Sequence, residues 1–203
     1  MTAAISQNPP FPRGQTFFNG GTTNTTDGLE LEGTEWVFED TDYSTPNISL
    51  PRTNRKVVCR IVRNSSGISL LPKRLAALKL TGTFGNQVDG YATTDYARGY
   101  PVDEWLPSAG VPANDLFYIV VKGPAMCITS LANMTVDVAI GDYVVAQTAI
   151  TSQATTAGRL NSITYAGATT ALAGNIMNSI GVACTAKTTT GTNASILVDV
   201  GKW

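Results

Sequence analysis

The last third of the chain opens with the apolar run Phe117-Tyr118-Ile119-Val120-Val121-Lys122, which breaks at Gly123-Pro124. Further short runs follow, together rich in Val, Ile, Thr and Tyr and separated by Gly, Pro, Asn and Asp, at 125–129, 138–146, 157–160, 180–186 and 195–200. Such runs between turn-forming residues are typical of strands in a small sandwich or barrel. We therefore predict an all-β fold in which residues 117–203 form a small β-barrel or sandwich platform.

The composition limits the size of the fold and the class of partner. A chain of 203 residues can hold one sizeable β domain, or one domain with an appendage. Only 14% of the residues are charged, against roughly 25% in soluble domains. Either uncharged polar residues cover the surface, or other chains do. The formal net charge of −1 gives no electrostatic reason to expect a nucleic acid partner.

The cysteines and the chain start bear on the compartment. Cys59, Cys127 and Cys184 lie far apart and form no C-x-x-C pair, which argues against a disulfide framework and a structural zinc site. We expect no signal peptide, because the first residues form neither a basic nor an apolar region. No run approaches the roughly 20 apolar residues that span a bilayer. We expect a soluble chain, made in a reducing compartment, with no membrane partner.

Residues 1–26 are predicted to form an extended N-terminal arm. Pro9, Pro10 and Pro12 block a helix and favour extended backbone. The arm also contains phenylalanines that it cannot bury by itself, namely Phe11, Phe17 and Phe18. A solvated tail has little use for such residues, so we expect the arm to order against a partner.

The second segment, 27–116, is predicted to be β-rich and carries two blocks of opposite charge. Residues 27–42 hold seven of the fifteen carboxylates, and residues 52–79 hold eight of the fourteen basic side chains. The two blocks could pair within the chain or between neighbouring subunits, where charge complementarity fixes register. They could equally be two solvated strand faces. Within the acidic block, the alternation at 29–32 favours a strand.

The rest of this segment has weaker patterns. Residues 55–63 are predicted to form a strand that ends at a turn at 64–67, whereas 73–80 is compatible with a strand or a short helix. The stretch 81–116 is rich in Gly, Asp, Tyr and Pro and is too long for an ordinary loop. We predict an insertion that is packed on the platform by its aromatic residues, Tyr91, Tyr96, Tyr100 and Trp105.

The sequence offers little catalytic chemistry. It contains no histidine, which removes Ser-His-Asp and Cys-His nucleophile systems and the commonest general base. Asp103-Glu104 beside Trp105 is the best glycosidase candidate, but adjacent residues of a strand point to opposite faces. Asp89, Asp95 and Asp103 could supply calcium ligands, yet no recognised loop pattern surrounds them. We expect no enzyme activity, no catalytic residues, no metal and no cofactor.

Several stretches together resemble the head decoration (capsid cement) proteins of tailed bacteriophages. In the platform, Ile140-Gly141-Asp142-Tyr143-Val144 followed by Ala157-Gly158-Arg159-Leu160 is similar to their small β-barrel modules, where a Gly-Asp turn starts one strand and an Ala-Gly pair starts the next. The other stretches that carry the resemblance are 64–73, 99–104, 114–117, 120–125 and 180–183. The resemblance covers roughly residues 55–203 and leaves the arm and the acidic segment unmatched.

The resemblance implies a mechanical function. Such proteins sit on the outside of an expanded icosahedral shell, often as trimers, and bridge neighbouring major capsid subunits against internal DNA pressure. It implies that the chain is made in the host cytoplasm, joins the virion and has the major capsid protein and itself as partners. Partner-binding residues would come from the arm and the start of the basic block: Phe11, Phe17, Phe18, Arg52, Arg55 and Lys56.

An alternative from another class is a glycan-binding β-sandwich of a phage head fibre or spike. Aromatic side chains stack on sugar rings, and Asp and Asn side chains hydrogen-bond to the hydroxyl groups. The candidates for such stacking are Tyr91, Tyr96, Tyr100 and Trp105.

Overall fold

The computed structural model describes residues 9–17, 28–45, 49–79, 81–82, 85–92, 99–129, 138–146, 158–162, 179–187 and 195–201. The secondary structure of these residues is entirely β, with ten strands. In chain order they are β1 Glu35–Asp42, β2 Leu50–Asn64, β3 Leu75–Lys79, β4 Gln87–Tyr91, β5 Gly99–Pro101, β6 Leu116–Ile128, β7 Tyr143–Ala146, β8 Leu160–Ser162, β9 Gly181–Ala183 and β10 Ser195–Val200. Within the described ranges, no helix is long and apolar enough to cross a membrane.

All ten strands belong to one sheet that is nearly closed into a barrel. The strand order is β5-β3-β4-β2-β6-β10-β9-β7-β8, and β1 pairs with β2 beside this path. Both ends of the sheet return to the central strand β6, because Val102, just after β5, bridges Ile119, and Leu160 of β8 bridges Thr129. The prediction of an all-β barrel is therefore confirmed.

The long strand β6 joins the two halves of the sheet. Its first half pairs with β2 as far as Lys122, and its second half pairs with β10 from Gly123 onwards. The break predicted at Gly123-Pro124 is therefore wrong, since the strand continues and changes partner there. Gly123 has φ 96°, and a Cβ at this position would lie 2.3 Å from the carbonyl oxygen of Lys56. Only glycine fits this close approach of two backbones.

The apolar core lies on both faces of β6. Phe117 and Ile119 pack in one cluster, whereas Tyr118 and Val120 pack in the other, larger cluster. A strand that is buried on both faces needs a continuous apolar run instead of an alternating one. This is why residues 117–122 are the clearest strand signal in the sequence.

Two patterns of the second segment have different outcomes. Residues 75–79 form a strand, which settles the ambiguity at 73–80. The strand favoured at 29–32 is wrong, because successive turns form there, with Leu31 N donating to Gly28 O and Glu32 N to Leu29 O. The alternation has another cause: Leu31 packs on the larger cluster, while Glu32 reaches Arg63.

The predicted segment boundaries fall at identifiable places. The boundary at residue 26 lies outside the described residues, and the one at 116/117 coincides with the start of β6. Residues 81–116 include β4 and β5, two strands of the same sheet.

Candidate functional site

The described part of the arm, residues 9–17, docks on its own chain. Phe11 is 6% exposed, and its ring centroid lies 4.6 Å from that of Tyr118 and 5.7 Å from that of Phe17. The Tyr118 hydroxyl donates a hydrogen bond of 2.9 Å to the Phe11 carbonyl oxygen. Phe17 and Leu116 exchange backbone hydrogen bonds of 2.9 and 3.3 Å. The arm-docking site is defined here as the surface formed by Asp103, Glu104, Trp105, Leu116 and Tyr118.

A buried ion pair fixes the centre of the arm. Arg13 donates from Nε and Nη2 to Asp103 Oδ1, at 3.1 and 2.8 Å, and the two side chains are 2% and 1% exposed. Asp103 Oδ2 accepts a further hydrogen bond of 2.7 Å from the Gly14 N–H. Gly14 has φ 83°, and a Cβ there would lie 3.0 Å from the Trp105 carbonyl oxygen. The Arg-Gly dipeptide is therefore what fits this site.

The ion pair continues into a buried network. Arg52 binds Glu104 with two hydrogen bonds of 2.8 Å, and it also reaches Asp40 at 2.6 Å. Glu104 lies 3.8 Å from Arg13, so it connects the two arginines. Burial alone would lower the pKa of both arginines, but the adjacent carboxylates raise the pKa of each above its ordinary value. We call Arg13, Arg52, Asp40, Asp103 and Glu104 the arm network.

Neutral groups lie beneath the arm. Burial raises the pKa of the Tyr118 hydroxyl, which keeps the proton that it donates to the arm. Burial also raises the pKa of Cys59 to about 12, although the nearby Arg13 charge opposes the shift. A thiol that stays protonated is a poor nucleophile. Cys59 therefore acts as a small core residue.

The acidic and basic blocks pair along β1 and β2. The antiparallel register places Glu35 opposite Arg60 and Glu39 opposite Lys56, and each couple forms an ion pair at the surface. Two further couples join the same blocks, Asp40 with Arg52 and Glu32 with Arg63. The internal alternative for the two blocks is therefore confirmed for these four couples. We call the exposed couples, Glu35–Arg60 and Glu39–Lys56, the surface pairs.

The basic residues predicted to bind a partner all have carboxylate contacts within the chain. Arg52 is 17% exposed and belongs to the arm network. Arg55, 49% exposed, lies 2.7 Å from Asp199, and Lys56, 61% exposed, contacts Glu39. Their solvent-facing surfaces leave room for a partner at Arg55 and Lys56 but little at Arg52. A partner-binding role for these residues stays a prediction.

The predicted arm anchors have different positions. Phe11 and Phe17 contact the chain's own core, and Phe18 lies outside the described residues. Whether Phe11 and Phe17 also serve binding between chains stays a prediction.

The four aromatic residues considered for sugar stacking do not share one surface. Tyr91 and Tyr100 pack against the smaller core cluster, and the Arg74 guanidinium lies 5.3 Å from the centre of the Tyr91 ring. Tyr96 lies outside the described residues. Trp105 instead meets Tyr43 edge to face, with centroids 5.2 Å apart. Both line an open cavity of about 430 Å³, together with Phe38 and the arm residues Pro9, Pro12, Arg13, Gly14 and Gln15.

The carboxylates considered for catalysis and calcium have structural partners. Asp103 and Glu104 lie in a turn, so they do not alternate as in a strand, and both approach Arg13. That correction brings the two carboxylates together, but as arginine ligands. Asp95 lies outside the described residues, and among those described no group of three or more His, Cys, Asp or Glu side chains is placed to hold a metal ion.

The sequence reasoning missed Arg13 and Asp103, which hold the arm. A signal was present for one of them, because Arg13 is the sole charged residue among residues 1–26. No comparable signal pointed to Asp103, whose partner is 90 positions away. No model of a known protein family matches the sequence, and no curated protein matches it either.

Proposed function

We propose that this chain is a virion structural protein, a decoration (cement) protein of a phage head. It binds the outside of the capsid and stabilises the shell by bridging neighbouring major capsid subunits. The proposal that it acts as a homotrimer rests on the resemblance of residues 55–203 alone.

The observation that carries the proposal is an exposed apolar surface on the β1–β2 hairpin. Val37 is 63% exposed, Tyr43 50% and Leu50 59%. Val37 lies on β1 between Glu35 and Glu39, whose side chains point to the same face. Burying apolar surface contributes about 25 cal/mol per Å². A hairpin that combines such residues with Arg55 and Lys56 suits attachment to another protein.

The turn geometry of the platform also fits the resemblance. Asp142 Oδ2 accepts a hydrogen bond of 2.8 Å from Ala139 N, and Gly141, with φ 94°, completes the turn that precedes β7. Gly158, with φ 73°, comes two residues before β8. Both strands therefore begin after the glycines that the cement-module pattern contains.

The physics of a cement protein requires no reaction centre. A ligand that binds only the assembled shell stabilises that shell by mass action. Contacts that span two shell subunits act together through effective concentration, so individually weak contacts suffice. A continuous sheet with both ends folded back on β6 supplies the stiffness that such bridging needs.

The first test is the copy number of this chain in purified particles, measured by quantitative mass spectrometry against the major shell protein. We expect a ratio near parity or another large fraction of the lattice. A handful of copies would contradict a cement role and indicate a fibre, spike or vertex component. Absence from the particles would exclude any virion function.

A second test assigns the binding surface. Val37→Asp and Leu50→Asp place a charge on the exposed hairpin surface, and we expect at least a tenfold loss of occupancy on shells. Ile68→Asp is the matched control, because Ile68 is also half exposed but lies in the turn after β2. Equal loss for all three variants would contradict the assignment of the hairpin.

The cavity at Trp105 supports a second candidate function, binding of a glycan. Two aromatic rings at right angles, next to the Gln15 side chain, offer both a stacking surface and hydrogen-bonding groups. Tyr43→Ala is the appropriate variant, because Tyr43 is 50% exposed and contributes little to the core. A signal on a glycan array that this variant abolishes would favour glycan binding. A cement protein should give no signal.

A further inference from the structure

The arm-docking site is built so that it needs an occupant. Without the arm, Asp103 would keep its buried position but lose Arg13 and the Gly14 N–H, its two donors. A buried carboxylate without a partner is strongly destabilising. The ring of Tyr118 would also lose its contact with Phe11. The folded chain is therefore stable only while some arm fills the site.

The occupant is held by few backbone bonds. Phe17 and Leu116 form an isolated bridge, and the other described contacts of the arm are made by the Phe11 carbonyl, the Arg13 side chain and the Gly14 N–H. Releasing the arm therefore breaks no ladder between the ten strands. An element with this property can be exchanged between copies at low cost, because the same contacts re-form with a different chain.

The connection to the arm is longer than the gap it closes. Ten residues, 18–27, separate Phe17 from Gly28, and ten extended residues span about 33–36 Å. Phe17 pairs with Leu116, which is the partner of Arg63 on β2, and Gly33 N donates to Ile61 O on the same strand. Adjacent strands lie only about 4.8 Å apart. The sequence of the connection, rich in Gly, Thr and Asn, gives it a length that reaches beyond its own subunit.

We infer that residues 9–17 form an exchangeable arm, which enters the arm-docking site of a second copy of this chain when copies are crowded together. In dilute solution the arm stays on its own chain, since a short flexible connection gives it an effective concentration in the millimolar range. Neighbouring copies on a shell reach comparable local concentrations, so exchange ties them together. The place of exchange rests on the proposed function, whereas the ability to exchange does not.

The test uses two complementary variants. Phe11→Ala/Arg13→Ala breaks the arm and leaves the site intact, while Asp103→Asn weakens the site and leaves the arm intact. The readout is tryptic cleavage after Arg13, followed as release of residues 1–13 by mass spectrometry. In the natural chain Arg13 is buried and should be cleaved slowly. In Asp103→Asn alone the arm loses its main ion pair, and we expect cleavage at least tenfold faster.

Mixing the two variants decides the question. The intact arm of Asp103→Asn should enter the intact site of the partner variant, and cleavage after Arg13 should slow by about tenfold. The signal is specific, because the other variant has no arginine in its arm. The matched control replaces the partner with Phe11→Ala/Arg13→Ala/Asp103→Asn, which offers no intact site and should give no protection. A mixture that is cleaved as fast as this control would overturn arm exchange.

A second measurement covers the case in which Asp103→Asn does not fold. A fluorescent peptide of residues 8–18 is added to the full natural chain, and an Arg13→Ala peptide serves as its control. We expect binding of the natural peptide, weakened because the chain's own arm competes with it, and no binding of the control. No binding at millimolar peptide would contradict exchange. Neither experiment involves shells, so failure here leaves the proposed function standing, and absence from particles leaves exchange standing.

Discussion

The arm network and the surface pairs use the same side chains in opposite ways. In the arm network, Arg13 and Asp103 are almost completely buried and join segments 90 positions apart. In the surface pairs, Glu35 and Arg60 are 45% and 29% exposed and lie on neighbouring strands that already pair through their backbones. The first holds a segment that would otherwise leave the fold, and the second adds little to a hairpin that exists without it.

The difference teaches where charge matters in a chain with so few charges. A buried couple is costly to break, because removing one partner leaves the other without solvent or a counter-charge. An exposed couple loses only a screened attraction. The four predictions that follow test this contrast, beginning with the largest expected effect.

Asp103→Ala should have the largest effect on stability. It removes the acceptor of Arg13 and Gly14 and leaves a guanidinium buried beside Glu104 alone. We expect a loss of about 3–5 kcal/mol in the free energy of unfolding, measured by urea denaturation. Glu35→Ala is the matched control, with an expected loss below about 1 kcal/mol. Equal losses would show that burial does not separate the two groups of charges.

Phe11→Ala tests the apolar part of the same site. The Phe11 ring is buried against Tyr118 and Phe17, and truncation of a buried phenylalanine costs about 3 kcal/mol or somewhat more. We expect that loss in urea denaturation together with faster release of residues 1–13 by trypsin. Ile68→Ala, at a half-exposed position, should cost less than about 1 kcal/mol. A Phe11→Ala chain as stable as the Ile68→Ala chain would mean that the arm contributes nothing to the core.

High pH should act on the groups beneath the arm. The pKa of Cys59 rises from its ordinary value of 9.0 to about 12 on folding. Above pH 9 the unfolded chain loses this proton while the folded chain keeps it, so stability falls between pH 9 and 12. The expected contribution of Cys59 is about 1 kcal/mol lost between pH 9 and 10, seen in urea denaturation at each pH.

Cys59→Ala provides the control for the pH dependence. It removes one titrating group, so the loss between pH 9 and 10 should become smaller, while the burial of Tyr118 leaves a residual slope above its ordinary pKa of 10.0. An unchanged slope in the variant would contradict the raised pKa of Cys59.

The strands could be predicted because their signals are local. The run 117–122 is apolar at every position but the last, as burial on both faces requires. The surface pairs were also within reach, because an acidic strand followed by a basic strand pairs as soon as a hairpin forms. The partner change at Gly123 could not be foreseen, since glycine followed by proline usually ends a strand and the reason for Gly123 is a backbone oxygen on β2.

The arm-docking site could not be predicted because its parts are distant in sequence. Arg13, Arg52 and Asp103 meet only after the barrel has brought the arm, β2 and the turn after β5 together. No local pattern at Asp103-Glu104 distinguishes two carboxylates that receive arginines from two that face solvent. What the sequence did contain was a single charge in an arm of prolines and phenylalanines, which is an economical way to mark the residue that docks.

The smallest effect is expected at the surface pair Glu35–Arg60, and a double-mutant cycle is needed to see it. The Arg60 Nη2 to Glu35 Oε1 distance of 2.7 Å looks strong, but both side chains are hydrated and must give up rotamer freedom to meet. Exposed couples of this kind contribute about 0.2–1 kcal/mol, and salt screens them. Glu35→Gln, Arg60→Gln and the double variant should therefore give a coupling energy below 1 kcal/mol that falls by about half in 0.5 M salt. The same cycle on Arg13 and Asp103 should give several times that value and change little with salt, because water and ions do not reach the couple. Similar coupling energies and salt dependence in the two cycles would mean that the arm is held no more firmly than a surface ion pair.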